Sequence, residues 1–386
     1  SKPALLYRRD AVELITPCNY ADDLDKLGEC DWIVEVVVER LDVKQRVFEM
    51  IEEHRRPGSV VSSNTSGLSV AAMAEGRNDD FRRHFMVTRF FNPVRYMRLL
   101  EIVPCDDTDP GVFSAVAEFG EQVLGKGVVY AKDTPNFIAN RIGTFGMASV
   151  FHWISELGIG ITETDKVFGP VMGRPKSAVF RTAYVVGLDT MAHVFGTIEE
   201  GCPDDPWRGR FALPDAMSRL VADGRLGAKT GAGFYKKTRD ADGSTAILAL
   251  DLETLDYIEQ PKVKLASIGA ARSKDTTAEK ITEMVWFDDV HGTLAWKVTA
   301  ETCIYAAQLL GEIADDVVNI DRGLRWGFGY ELGPFETWDA IGVARSVERM
   351  RAEGMEIPSA AERLLDAGEG SWYVTRAGVR SFWDVD

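Results

Sequence analysis

The sequence predicts an α/β domain followed by all-α domains. Three observations carry this. Short apolar, β-branched runs alternate with helical patterns over the first 130 or so residues. Beyond Asp133 the strand signals stop and long helical periodicities take over. A segment of the first helical stretch also recurs, weakly, near the C-terminus. Strands alternating with helices point to a largely parallel sheet.

The elements follow in order. "DWIVEVVVE" (Asp31–Glu39) is almost continuously apolar, as in a parallel strand buried on both faces. Asp42 is expected to cap the next helix, with Gln45 completing a capping box. Val43, Val47 and Ile51, with Phe48 beside them, give that helix its apolar stripe. "RRPGS" (Arg55–Ser59) is a turn, and "SVVSSNTSG" a strand running into a polar loop. "HFMVTRFF", "LLEIVPC" and "GKGVVYAKD" (Gly125–Asp133) are further strands. "PNFIANRIGTFGMASVFHWISELG" then has helical periodicity, and helices dominate until the strand signal of "KTGAGFYKK". The polar stretch Lys236–Ser244 reads as a boundary, and helices resume near 276 and run to about 366. The expected domains are thus 1–133, 134–240 and 241–386. The last two are related: Thr164–Thr190 resembles Ile320–Ala344, with Asp165 matching Asp321, Gly173 matching Gly329, and Gly187 matching Gly342 after one residue of slip. Two Gly-rich interhelix turns alike by coincidence are the other reading.

Composition excludes several classes. A net charge of -16 and a pI near 4.9 disfavour a nucleic-acid partner. Five widely spaced cysteines without a CxxC pair suit reduced thiols and a cytoplasmic setting. The start, "SKPALLYRRDA", lacks the apolar core of a signal peptide, and no apolar run reaches the ~20 residues of a membrane span.

A dinucleotide-binding domain opens with strand, G-x-G-x-x-G and helix, so that backbone amides hold the pyrophosphate. Only Gly28 lies in the first thirty residues, and the G-x-G of "KTGAGFYKK" enters a strand. The sheet therefore reads as an incomplete Rossmann-type domain, with Ile33–Val38 as its fourth strand and one flank open. Such an edge, with Ile33 and Val36 uncovered, is expected to make the chain unstable alone.

The remaining strings resemble the L-3-hydroxyacyl-CoA dehydrogenase family. They are "ITPCNYADDLDKLGECDWIVEVVVERLDVKQRVF", "SSNTSGLSV", "RFFNPVRYMRLLEIV", "KDTPNFIANRI", "VVGLDT", "KTGAGFYKK" and "EIADDVVNIDRGLRWGFGYELGPFETWDAIGV". They cover most of the chain in order. The last resembles the longer members with two helical copies, some followed by an enoyl-CoA hydratase domain. The resemblance implies NAD as cofactor, an acyl-CoA substrate, fatty-acid β-oxidation, a homodimer through the helical domain, and a hydratase domain or partner. "FFNP…LLE" argues against other β-hydroxyacid dehydrogenases.

The family removes the hydroxyl proton with a His–Glu pair while hydride passes to NAD. Its His opens H-F-F-N-P and its Glu follows twelve residues later. Glu101 fits the second place and Arg89 occupies the first. Arginine stays protonated at physiological pH and cannot be that base. His84 is nearest, but on a regular strand it would face away from Arg89, and His152 sits in a helical pattern. Two readings of Arg89 stand. Its guanidinium can pair with Glu101 and bond a keto oxygen, binding acyl-CoA without turnover. Alternatively the fold persists with a silenced site. A non-catalytic acyl-CoA binder or scaffold is the alternative to an impaired dehydrogenase.

By the same resemblance, Ser66 and Asn140 orient substrate and the catalytic pair, while Glu39, Lys44, Asn92 and Lys229 contact the cofactor. Each has a plainer role available: Glu39 and Lys44 as a solvated pair, Ser66 as a helix cap, Asn140 bonded to local backbone. Ala183 and Tyr184 stand where the family usually shows an acidic residue.

Overall fold

A computed structural model describes Leu6 and residues 8–239, 244–376 and 378–384. Most of the opening stretch "SKPALLYRRDA", and 240–243 of the expected boundary, lie outside these residues. The chain forms two compact units, one running to Ile138 with Glu312–Ala314, the other Ala139–Gly311 with Asp315–Asp386.

The first unit holds a five-stranded sheet in the order β1-β2-β3-β4-β5: β1 (Trp32–Glu35), β2 (Val60–Ser63), β3 (Phe85–Phe90), β4 (Leu99–Pro104) and β5 (Gly127–Tyr130). Three pairings are parallel; β3 and β4 are antiparallel. Only residues 91–98 join that pair, too short for a parallel crossover of about a dozen residues or more. Helices α1 (Leu41–His54), α2 (Val70–Ala74), α3 (Asp79–Arg83) and α4 (Pro110–Gln122) accompany the sheet. Alternating side chains on β3 serve two layers. Phe85 meets the rings of Phe48 from α1 and Phe81 from α3, while Met86 joins Leu100, Ile102, Val128 and the α4 residues Val116 and Ala117.

Three expectations change here. β1 ends at Glu35, and Val34, Val36 and Val38 are exposed at 39%, 68% and 63%. The strand is not buried on both faces, because it is the sheet edge and no strand among the described residues covers its outer flank. That open flank was anticipated; Ile33, however, remains buried. Asp42 is not the cap of α1. The helix starts two residues earlier than such a cap would place it, and Asp42 pairs with Arg40 and Arg46 inside the first turn, where a carboxylate favours the helix dipole. Gln45 instead donates to the Ala72 carbonyl.

The second unit is mainly helical: α5 (Ala139–Leu157), α6 (Ile161–Val167), α7 (Phe180–Val186), α8 (Leu188–Gly201), α9 (Asp215–Ala222), α10 (Ala266–Arg272), α11 (Thr277–Trp286), α12 (Val290–Gln308), α13 (Val317–Gly327), α14 (Pro334–Ile341), α15 (Val343–Ala352) and α16 (Ser359–Asp366). Strands β6 (Tyr235–Arg239), β7 (Thr245–Leu250) and β8 (Tyr257–Glu259) form an antiparallel sheet, and β9 (Tyr373–Arg376) pairs with β10 (Val379–Phe382). The expected boundary at 240 thus falls between two paired strands of the second unit. β6 and β7, on either side of 240–243, are antiparallel partners.

The matched segments make matching contacts. Asp165 on α6 accepts the Val179 and Phe180 amides at 3.0 and 2.8 Å, at the start of α7, and the Tyr235 hydroxyl at 2.8 Å. Asp321 on α13 accepts the Phe335 and Glu336 amides at 2.8 and 3.1 Å, at the start of α14, and the Tyr373 hydroxyl at 2.7 Å. Each carboxylate satisfies helix N-terminal donors that lack intrahelical partners. Gly173 and Gly329 are both left-handed, at φ 63° and 68°. The two turns meet: the Glu331 amide donates to the Gly173 carbonyl at 2.8 Å. Helix α5 runs along α12, and a Cβ at Gly143 would fall 2.3 Å from Phe328 Cζ.

Burial pushes the Asp165 and Asp321 carboxyls up. Asp339, which accepts the Trp372 and Tyr373 amides at 2.7 and 2.9 Å, is pushed up to about 6, again chiefly by burial. Its folded value lies above its unfolded one, so the folded state binds the proton more tightly. Stability contributed by that proton is present below pH ~4 and lost as pH rises through 6. With allowance for partial exposure, the loss is on the order of 2 kcal/mol. Denaturant titrations at pH 4.5 and 7.5 should show it, and Asp339→Asn should flatten the slope.

Candidate active site

The site grows from the β3–β4 register. Arg89 and Glu101 stand directly opposite each other in that antiparallel pair. Arg89 Nη1 donates to Glu101 Oε2 at 2.8 Å. Arg89 is 7% exposed and Glu101 fully buried. The guanidinium lies 4.0 Å from the Phe91 ring centroid, a cation–π contact. The other carboxylate oxygen, Oε1, accepts the Ile138 amide at 3.2 Å. That amide follows two non-glycine residues in left-handed conformation, Asn136 (φ 65°) and Phe137 (φ 50°). Such residues cost roughly 1–3 kcal/mol each and persist only where surrounding structure holds them.

A second cluster lies at the end of β1. Lys44 Nζ reaches both oxygens of Glu35 at 2.9 Å and Glu39 Oε2 at 3.4 Å. Ser63 Oγ donates to Glu35 at 2.6 Å. Glu39 Oε1 takes the Ser66 amide at 2.7 Å and the Thr65 hydroxyl. Glu39, Lys44 and Ser66 are thus brought together. Lys44, at 1% exposure, cannot offer its ammonium at the surface; it holds Glu39 in place, so the pair is not solvated. Ser66 does not cap α2, a role taken by Ser69. Asn92, just beyond β3, is exposed.

Asn140 and Lys229 belong to the second unit. Asn140 is half-buried in the first turn of α5. Lys229 Nζ binds both oxygens of Asp189 at 2.5 and 2.6 Å, which holds the Asp189 carboxyl below its usual range. This is the aspartate of "VVGLDT". A Cβ at Gly187 would come 2.9 Å from its Oδ1. The corresponding place after Gly342 holds Ala344, so the second segment has no such pair.

Neither histidine of the first unit takes the base position. His84 lies outside β3, as the C-cap of α3, and its Nδ1 bonds the Asp80 carbonyl at 2.7 Å. His54 bonds the Met50 carbonyl. His152, His193 and His291 are in the second unit. Sequence reasoning missed Glu35, Thr65, Asp189 and the Ile138 amide. Glu35 alone left a signal: a carboxylate inside an apolar run, nine residues before Lys44.

Comparison with known proteins fixes the lineage. The family model for the NAD-binding domain of 3-hydroxyacyl-CoA dehydrogenase matches residues 2–134, and that for its C-terminal domain residues 137–237. A probable 3-hydroxyacyl-CoA dehydrogenase of Deinococcus radiodurans is 43% identical over 240 residues, covering 62% of this chain and 68% of the relative. The chain belongs to the 3-hydroxyacyl-CoA dehydrogenase family. A probable 3-hydroxyacyl-CoA dehydrogenase of Bacillus subtilis is 48% identical over 99% of this family member, which spans about half, 48%, of that relative's length. The crystal structure of 3-hydroxybutyryl-CoA dehydrogenase from Escherichia coli shares the fold, with a TM-score of 0.67 at 21% identity over 90% of this chain and 84% of that one. Among the described residues no helix is long and apolar enough to cross a membrane.

Removing Glu35 would leave the Lys44 ammonium buried without its main partner. Glu35→Ala should cost about 3–5 kcal/mol in denaturant unfolding, while the apolar pair Glu35→Leu with Lys44→Met should recover most of it. A Glu35→Ala loss below ~1 kcal/mol would show that Glu39 and solvent suffice for Lys44.

Proposed function

We propose that this chain serves a protein of 3-hydroxyacyl-CoA metabolism whose acyl-CoA site has lost its proton acceptor. The supporting observation is the buried 2.8 Å contact between Arg89 and Glu101. A guanidinium has five donors and no lone pair to take a hydroxyl proton. Glu101 stands at the family's spacing from Arg89, and its carboxylate binds a permanent cation.

The fit to NAD is partial. Glu39, Ser66 and the exposed Asn92 lie after β1, β2 and β3, at the carboxyl ends where ligands bind in open α/β sheets. The Glu39 side chain is 27% accessible and can meet a ribose hydroxyl, with Lys44 fixing its position. No G-x-G-x-x-G turn occurs among the described residues to hold a pyrophosphate. NAD, when bound, supplies the hydride acceptor. Asn140 and Ser66 carry the orienting roles the resemblance implies, and Lys229 is tied to Asp189. The paired contacts of Asp165 and Asp321 support two related helical copies. An enoyl-CoA hydratase domain or partner belongs to the same proposal.

The test is NADH formation from L-3-hydroxybutyryl-CoA by the full-length protein. The natural protein should be slower than its Arg89→His variant by about 10²–10⁴-fold, the usual contribution of a general base. Equal, ordinary dehydrogenase rates for both would show that Arg89 does not occupy the base position.

A further inference from the structure

We infer that Arg89 reverses the hydrogen-bond polarity of the acyl site, so that it selects 3-oxoacyl thioesters over 3-hydroxyacyl thioesters. The inference rests on the acyl-CoA reading above. A neutral imidazole opposite Glu101 would present an acceptor nitrogen, suited to a hydroxyl that must donate its proton. Arg89 presents donors alone.

The surroundings sharpen the contrast. Both oxygens of Glu101 are engaged, Oε2 by Arg89 Nη1 at 2.8 Å and Oε1 by the Ile138 amide at 3.2 Å. Arg89 Nε is buried with no hydrogen-bond partner among the described residues. Arg89 thus keeps a spare donor beside a carboxylate whose two oxygens each already accept a hydrogen bond. Phe91, stacked at 4.0 Å, covers one face and adds no acceptor. Arg89 as a whole is 7% exposed, and the partner its spare donors would take is an acceptor-only oxygen.

A ketone oxygen at C3 is such a group: two lone pairs and no proton. A C3 hydroxyl can also accept from Arg89, but its own proton then needs an acceptor. A buried donor left without one carries its full desolvation penalty. Sites built around one hydrogen-bond pattern reject the analogue with the wrong pattern far more strongly than apolar pockets reject a missing methylene. No covalent step is involved; the chain would retain the oxidised acyl group.

The experiment is calorimetric titration of the full-length protein with acetoacetyl-CoA, L-3-hydroxybutyryl-CoA, butyryl-CoA and free CoA, repeated with Arg89→Met and Arg89→His. The natural protein should bind acetoacetyl-CoA at least about tenfold more tightly than L-3-hydroxybutyryl-CoA, or about 1.4 kcal/mol. Arg89→Met should bring the two esters within about twofold of each other, each referred to butyryl-CoA in the same variant, and Arg89→His should restore hydroxybutyryl-CoA binding. Equal affinities for the two esters in the natural protein would overturn the inference and leave the acyl-CoA reading standing. Esters binding no better than free CoA would sink both. Oxo selectivity that survives in Arg89→Met would assign it to another residue and likewise overturn the inference.

Discussion

The ion pair between Arg89 and Glu101 is the constraint around which the first unit's chemistry is arranged. It joins β3 to β4 at the one antiparallel step of the sheet. It is buried, so neither charge can be left alone without a penalty of several kcal/mol. The Ile138 amide completes the coordination of the carboxylate, and two left-handed residues bring it there. Under the proposed function, this pair holds a fixed charge where the family reaction moves a proton.

The same logic recurs wherever this chain buries a charge. Lys44 is neutralised by Glu35 and braced by Glu39. Asp165 and Asp321 lie under helix N-termini and take backbone amides rather than cations. Arg141 on α5 donates to Asp205 at 2.6 Å and to the Tyr305 hydroxyl on α12 at 2.5 Å, tying the two long helices together. Each arrangement satisfies the polar group and also fixes the relation of two elements within one unit.

Much of this was legible in the sequence, and for physical reasons. Strands β2 to β5 are short apolar runs bounded by turns. Gly173 and Gly329 could be paired because a left-handed turn favours glycine, and Asp165 and Asp321 because one carboxylate can hold a helix start from a fixed distance. Arg89 was identifiable because its neighbours, "FFNP" and Glu101, keep their spacing. What misled was local pattern without tertiary context. Asp42 has the form of a cap but serves Arg40 and Arg46. Val34, Val36 and Val38 look like core, yet at a sheet edge the same residues face outward. Glu35 and Asp189 depend on partners nine and forty residues away, which periodicity does not reveal.

The central claim is that Arg89 is fastened to Glu101 as a buried, fixed ion pair. A double-mutant cycle measures this most directly, using denaturant unfolding of Arg89→Met, Glu101→Gln and the double variant. The account predicts a coupling energy of about 2 kcal/mol or more, with the double variant more stable than either single variant's loss would suggest. Additive losses, with coupling below ~0.5 kcal/mol, would contradict it, because the two side chains would then be neighbours and not a pair.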